Sequence, residues 1–264
     1  MALSMARPAP LSLPSPRFVA VWQRHVDVFW HLWVSRSALP VVEPLVTFLV
    51  LGFGLGQFVD LDSEKEYIEF IAPGMMAAFP MWQAFFICLW GSWIRMDSEH
   101  AYDAIIATPL EPEDVAAGEI AWATTMVMLT TFYVLLMSLA FGLVGSPLVV
   151  LTLPVAVLHG WMLASMALSY STSISSSSQM DYFFTIVALP MFWVGDVFFP
   201  KEDLPEALQV VSWFMPVTHT VAVYRGLMDG DVSWGTLGDL AWIAIVGWLF
   251  FQLAMWRTRK RLVT

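Results

Sequence analysis

Six stretches of this 264-residue chain are each long and apolar enough to cross a lipid bilayer: about residues 38–59, 71–94, 119–141, 148–170, 181–199 and 237–256. A crossing helix needs ~20 mostly apolar residues, and in hydrocarbon every backbone N–H and C=O must find its partner inside the segment. The expected fold class is therefore an all-α integral membrane protein with six transmembrane helices in one polytopic domain. Composition agrees: 13% of residues are charged and the mean hydropathy is +0.69, whereas a soluble domain carries ~25% charge. The formal net charge of −10 gives no basic face for nucleic acid. Cys88 is the only cysteine, which excludes an intrachain disulfide and a thiolate metal cluster.

Pro8, Pro10, Pro14 and Pro16 interrupt the apolar run that a secretory signal would need, so residues 1–16 are expected to be a retained, disordered arm. Over 17–36, Phe18, Trp22, Val26, Phe29 and Trp33 recur every three or four residues, with Arg17, Arg24, Asp27, His31 and Ser35 opposite. That pattern predicts an amphipathic helix lying in the headgroup plane; the alternative is a soluble helix packed on a partner. Residues 37–264 form the six-span domain.

Basic residues near span ends resist translocation. Arg7, Arg17, Arg24, Arg36, Arg95, Arg257, Arg259, Lys260 and Arg261 fall on the side that carries both termini, against Lys65, Lys201 and Arg225 on the other. Both termini are therefore expected in the cytoplasm, with the cluster after Trp256 as an inner-leaflet anchor. Residues 200–236 hold two short apolar helical stretches, 203–211 and 218–228, on the opposite side. Neither can cross, so a re-entrant helical hairpin between spans five and six is expected, with a water-exposed helical cap as the alternative.

Three groups of motifs occur in order. The first is Tyr67-Ile68-Glu69-Phe70-Ile71-Ala72-Pro73-Gly74-Met75. The second is Ala104-Ile105-Ile106-Ala107-Thr108-Pro109-Leu110 with Asp114, Gly118, Glu119 and Trp122. The third is Gly195, Val197-Phe198-Phe199-Pro200, Leu204-Pro205 and Pro216-Val217-Thr218-His219 with Arg225 and Gly230. Together they resemble the permease subunits of type-2 ABC exporters, especially the branch that includes nodulation-factor and antibiotic exporters; Asp196 departs from the small or apolar residue expected there. The resemblance implies a cytoplasmic coupling helix between spans two and three, set in a groove of a separate ATPase. Its residues here would be Asp97, Glu99, Tyr102, Asp103, Thr108, Pro109 and Leu110. The acidity of this loop suits a basic groove, or marks an ordinary solvated face.

The chain has no G-x-x-x-x-G-K-[ST] phosphate loop, no H-E-x-x-H and no G-x-S-x-G, so no ATP site or catalytic constellation is expected. ATP and Mg would sit on the partner, with two ATPase copies, a second permease copy (a homodimer) and surrounding membrane lipids completing the assembly in the cell membrane. The implied cargo is an amphiphile such as a glycolipid, a lipo-oligosaccharide or a hydrophobic drug. Its path and exit would involve Glu43, Trp82, Phe85, Phe198, Phe199, Pro205, Pro216, His219 and Arg225. Glu43 is expected to meet a headgroup or pair with Arg36 or Arg95, and Asp196 likewise to meet a headgroup or pair with Lys201. His159 and Asp181 read as hydrogen-bonded structural residues, and the serines from Ser169 to Ser178 as a flexible linker. Gly52 and Gly56 permit a close helix contact within or between chains. The competing function is an ATPase-independent carrier or a membrane assembly factor, but a carrier would show midspan ionisable residues in repeated halves, and none is evident.

Overall fold

The computed structural model of the chain describes residues 13–59, 66–99, 101–106 and 108–263. Most of the expected disordered arm and the acidic stretch 60–65 lie outside the described residues. Every regular element among the described residues is helical: α1 Phe18–His31, α2 Trp33–Thr47, α3 Tyr67–Phe85, α4 Ala101–Ile106, α5 Pro112–Ala140, α6 Thr152–Ser171, α7 Met180–Phe183, α8 Leu189–Val194, α9 Glu206–Phe214, α10 Pro216–Asp229 and α11 Trp234–Val263. Wide π turns carry α2 on to Phe58 and α3 on to Ser98, and another joins α7 to α8. Five of the resulting helices have the length and apolarity to cross a membrane: Trp33–Phe58, Tyr67–Ser98, Pro112–Ala140, Pro147–Ser171 and Trp234–Val263.

The segment expected as a fifth span, 181–199, is helical only over 180–194. At 1.5 Å per residue that is about 22 Å, short of a ~30 Å hydrocarbon core. The helix stops at Gly195, and Asp196 follows in the left-handed region with φ 62°. From there residues 195–198 run as irregular, buried backbone. Such backbone is tolerated at membrane depth only where protein covers it, and here α3 does so.

Lipid tails are as apolar as leucine, so exposed Ile245, Leu249 and Val150 cost nothing in a bilayer, and cohesion rests on close packing and polar contacts between helices. α3 is the hub: Met75, Met76, Met81 and Phe85 are fully buried, packed by α5, α6 and α10. Pro80 lacks an N–H and leaves the Met76 carbonyl without its helical donor, and the Thr131 hydroxyl of α5 donates to it at 3.4 Å. At the next residue His159 of α6 donates from Nε2 to the Ala77 carbonyl (3.1 Å), so its Nδ1 accepts from the Thr220 hydroxyl of α10 (2.8 Å). The structural role expected for His159 is the observed one. Asp181, in contrast, is exposed at the start of α7, and its side chain makes no hydrogen bond among the described residues.

Three other expectations change. α1 ends at Leu32, so Trp33 to Arg36 begin the spanning helix instead. Gly52 meets Ile68 and Gly56 meets Tyr67, which makes the glycine pair a contact within the chain. Ser169 and Ser171 are buried in the last turn of α6, where Ser171 donates to the Leu89 carbonyl at 3.0 Å; the start of this stretch is a helix terminus, and the connection begins only at Thr172. The turn after α5 is pinned too, with Gly142 at φ 73° and Gly145 N–H donating to the Met228 carbonyl.

A Cβ at Gly74 would sit 2.5 Å from the Val197 carbonyl oxygen and 2.7 Å from its Cα, both backbone atoms that cannot swing aside. Gly74→Ala is expected to destabilise the protein by about 1–3 kcal/mol through overpacking. Gly238→Ala, which meets open space, should be neutral or stabilise by up to ~1 kcal/mol. Thermal unfolding of both variants in detergent, read by tryptophan fluorescence, checks the pair; equal midpoints for wild type and Gly74→Ala would refute the tight approach.

Candidate functional site

Ser15 and Arg17, the last turns of α11 and the segment between the second and third spans lie at one end of the bundle, and the hairpin α9–α10 lies at the other. At the terminal end, α4 is closed by Thr108, whose hydroxyl donates to the Ile105 carbonyl at 2.5 Å, as Pro109 bars continuation. α5 opens with a capping box: Asp114 accepts the Glu111 N–H at 3.2 Å, with Pro112 in the first helical position. The Asp114 carboxylate also accepts from the Ser15 N–H (2.6 Å) and hydroxyl (3.0 Å), and Arg17 donates to the Pro109 carbonyl at 2.6 Å. From α11, Arg259 pairs with Glu113 at 2.8 Å and Arg261 with Asp97 at 3.2 Å. Arg261 also reaches the carbonyls of Ile174 and Ser171.

These contacts change the reading of the loop's acidity. Glu113 and Asp114 are buried: Glu113 is paired with Arg259, Asp114 accepts only neutral donors from Ser15 and Glu111, and Asp97 is bound by Arg261. Arg259 and Arg261, expected to anchor the inner leaflet, grip protein instead, while Arg257 and Lys260 lie over the Trp256 ring. What projects is Glu99, Thr108, Pro109 and Glu111, with Leu110 half-buried. Tyr102 is buried against Met96 and Val115; burial, with the nearby Glu119 charge adding, pushes its phenol well above the usual range, so it stays neutral. The Asp103 side chain lies outside the described residues.

Beneath this platform sits an ion cluster that sequence reasoning did not assemble. Glu119, fully buried one turn and more into α5, accepts from Arg95 Nε at 3.0 Å and from its terminal nitrogen at 2.5 Å. His25 Nε2 of α1 lies 3.1 Å from the same carboxylate and Arg24 at 3.8 Å. His25 stacks on Trp122, Phe29 packs edge-on to that ring, and Trp22 donates to the Thr125 hydroxyl. The apolar face of α1 thus lies on α5, helped by Gly118 where Val21 presses in. The signal was present: a carboxylate within the run Val115 to Ala123 requires a cation.

At the hairpin end, Asp196 pairs with Arg225, not with the Lys201 side chain. Arg225 donates to its carboxylate at 2.6 Å and to its backbone carbonyl at 3.2 Å, and Lys201 contributes only its backbone N–H at 3.1 Å. The Arg225 guanidinium lies 4.4 Å above the Phe70 ring. His219 lies between two acceptors, Asp239 Oδ1 and the Trp213 carbonyl, each at 2.8 Å, and stacks on Trp242 at 4.1 Å. Asp239 was missed; a lone acid in the apolar start of α11 was its only sign. Beside this pair is a cavity of about 240 Å³ lined by Lys201, Glu202, Gln209, Trp213 and Asp239. Phe198 is buried among Phe192 and Trp193 and Pro216 is buried, whereas Phe199 and Pro205 are exposed.

Glu43 pairs with neither Arg36 nor Arg95, because Arg95 is committed to Glu119. It faces a narrow cleft of about 30 Å³ shared with Pro44, Trp82, Gln83, Phe86 and Thr130. Trp82 stacks on Phe184 at 5.9 Å and meets Phe192. Phe85 is fully buried and does not line that cleft. The carboxylate therefore stands beside an aromatic ladder with no cationic partner among the described residues.

Comparison with known proteins adds the following. The sequence pattern of the ABC-2 type transporter family matches residues 16–228. Nodulation protein J of Sinorhizobium fredii is 26% identical over 94% of both chains. Nodulation protein J of Rhizobium meliloti is 29% identical over 92% of this chain and 93% of the relative. The inner membrane transport permease YhhJ of Escherichia coli is 23% identical over 72% of this chain and 52% of its own length.

Removing one partner of a buried ion pair leaves an uncompensated charge, at a cost of about 3–5 kcal/mol. Glu119→Leu is expected to destabilise by that order, and Arg95→Met/Glu119→Leu to recover a large part of the loss, in chemical or thermal unfolding of the purified protein. A double variant no more stable than Glu119→Leu would show that the pair is not what matters there.

Proposed function

Because the chain belongs to the ABC-2 type transporter family, we propose that it is the permease half of an ATP-driven exporter whose hydrolysing subunits are separate chains. Family membership makes it a membrane transport permease and implies an ABC ATPase partner. The observation that carries the finer reading is the platform at the terminal end. Residues 97–114 are gripped by Ser15, Arg17, Arg259 and Arg261, with Thr108 and Pro109 left projecting. A segment held this way transmits a push rather than absorbing it. Two ATPase copies, which hold ATP and Mg, would press on it from the cytoplasm, where both termini then lie.

Displacement passes through Arg95–Glu119 into α3 and α5, since those side chains join the two helices at the base of the platform. α2 leaves Val46, Val50 and Phe53 exposed, a face open to a second permease copy. The cleft with Glu43, Trp82 and Phe86 supports an amphiphilic cargo entering sideways from the bilayer: a polar group meets Glu43 and Gln83 while its tail stays against rings. On this reading 180–198 completes a sixth crossing with help from its irregular end, and α9–α10 is the re-entrant exit, with the cavity at Lys201, Trp213 and Asp239 on its outer side.

Pro109 is exposed, so Pro109→Arg should fold normally and disturb only docking. Tagged wild type, extracted in mild detergent from its native membranes, is expected to bring down an ATPase, and Pro109→Arg to lose at least about tenfold of it, equivalent to ~1.4 kcal/mol. A folded wild-type chain that brings down no ATPase would sink the exporter reading and favour a carrier or assembly role.

A further inference from the structure

An apolar groove lies apart from the clefts assigned to cargo. It is about 430 Å³ in volume and is walled by Phe18 and Trp22 of α1, Ala121 of α5, Val157 and Trp161 of α6, and Phe251 of α11. Its walls are almost wholly apolar, and three of its four helices are long enough to cross a membrane, so the medium that fills it is hydrocarbon and not water. Its volume falls within the ~300–1,000 Å³ of small-ligand sites. Its lining on α5 runs from Ala117 to Thr125, about 12 Å along the helix, and it includes Pro14 beside the platform.

A positive charge neighbours the groove-lining Pro14 and Phe18 in the chain. Arg17 stands between Pro14 and Phe18, is exposed, and donates through one nitrogen to the Pro109 carbonyl. Its remaining N–H groups have no protein acceptor among the described residues. A guanidinium with free donors beside a hydrocarbon slot complements a phosphate ester.

We propose that this groove is a site for one anionic membrane phospholipid, with an acyl chain lying between α1 and α5, α6 and α11 and its phosphate at Arg17. The lipid is resident, not cargo. It fills the space between the α1 seat on Glu119 and the body of the bundle, and its headgroup sits on the residue that holds the Pro109 carbonyl. Lipid composition would therefore act on the platform through Arg17.

The site is read by photolabelling. The full chain is placed in nanodiscs of phosphatidylethanolamine and phosphatidylglycerol doped with phosphatidylglycerol bearing a diazirine midway along one acyl chain, irradiated, and mapped by peptide mass spectrometry. Phospholipid is the only amphiphile present, so labelling cannot come from transported cargo. Peptides holding Trp22, Val157 and Trp161 are expected to label at least about fivefold more per residue than the lipid-facing Ile245 and Leu249 region, a preference of ~1 kcal/mol. Ala121→Phe, which fills the groove, should abolish that excess. Val157→Trp serves the same purpose if the first variant does not elute as a single species. Arg17→Gln should lower the excess for the phosphatidylglycerol probe and leave it unchanged for the same diazirine on phosphatidylcholine. Labelling no greater than at Ile245 and Leu249, or an excess that survives both groove-filling variants, overturns the site. An excess insensitive to Arg17→Gln overturns the headgroup assignment.

Discussion

A charge placed inside hydrocarbon must be matched by another, and in this protein the Glu119 carboxylate and the Arg95 guanidinium meet that demand for each other. The two residues belong to different spans, 24 positions apart, so satisfying them ties the tail of α3 to the head of α5. Everything between, from Met96 to Gly118, becomes a closed loop with a fixed base. α1 is drawn in by the same carboxylate through His25 and Arg24. A single desolvated acid thus sets the position of three helices, and its burial makes that geometry exacting, since a partner moved away would leave the charge unpaired.

The loop built on this base is stiffened further by distant parts of the chain. Ser15 and Arg17 come from before α1, Arg259 and Arg261 from the end of α11. Acidic residues that read as a docking surface are spent on these internal contacts, and the surface left for a partner is smaller and more neutral: Thr108, Pro109 and the exposed Glu99 and Glu111. The opposite end follows the same logic in another form. There the helix through 180–194 is too short, and the backbone beyond it turns at Asp196. Its cost is met by Arg225 on the carboxylate and the carbonyl, by Lys201 N–H, and by Gly74 allowing the chain against α3.

Much of this was legible in the residues. Apolar run length placed the five long helices, because bilayer thickness leaves few lengths possible, but it also read 181–199 as a span where the helix stops at 194. Prolines and the capping box marked where α4 ends and α5 begins, since those effects act within one or two turns. The residues singled out at the loop, Thr108 and Pro109, lie where the pattern put them. Less legible were the partners. Lys201 was the nearest cation to Asp196 in sequence, yet Arg225, 29 residues on, takes it. Arg36 and Arg95 were near Glu43, yet Arg95 is held by Glu119, leaving Glu43 in a cleft with Trp82. His25, His159 and His219 looked scattered, and each joins two or more helices in space.

The sequence by itself determined that the chain is helical and membrane-embedded, and to which family of transporters it is similar. Those properties follow from local rules: hydrocarbon excludes unsatisfied backbone, proline removes a donor, and glycine admits close neighbours. Only the tertiary structure decided which charges pair, that α1 lies on α5, that Glu113 and Asp97 of the acidic loop are held by arginines of α11, and that 195–198 folds back on Gly74. Pairing in a low-dielectric interior is chosen by distance and desolvation across helices, and sequence separation carries no information about either.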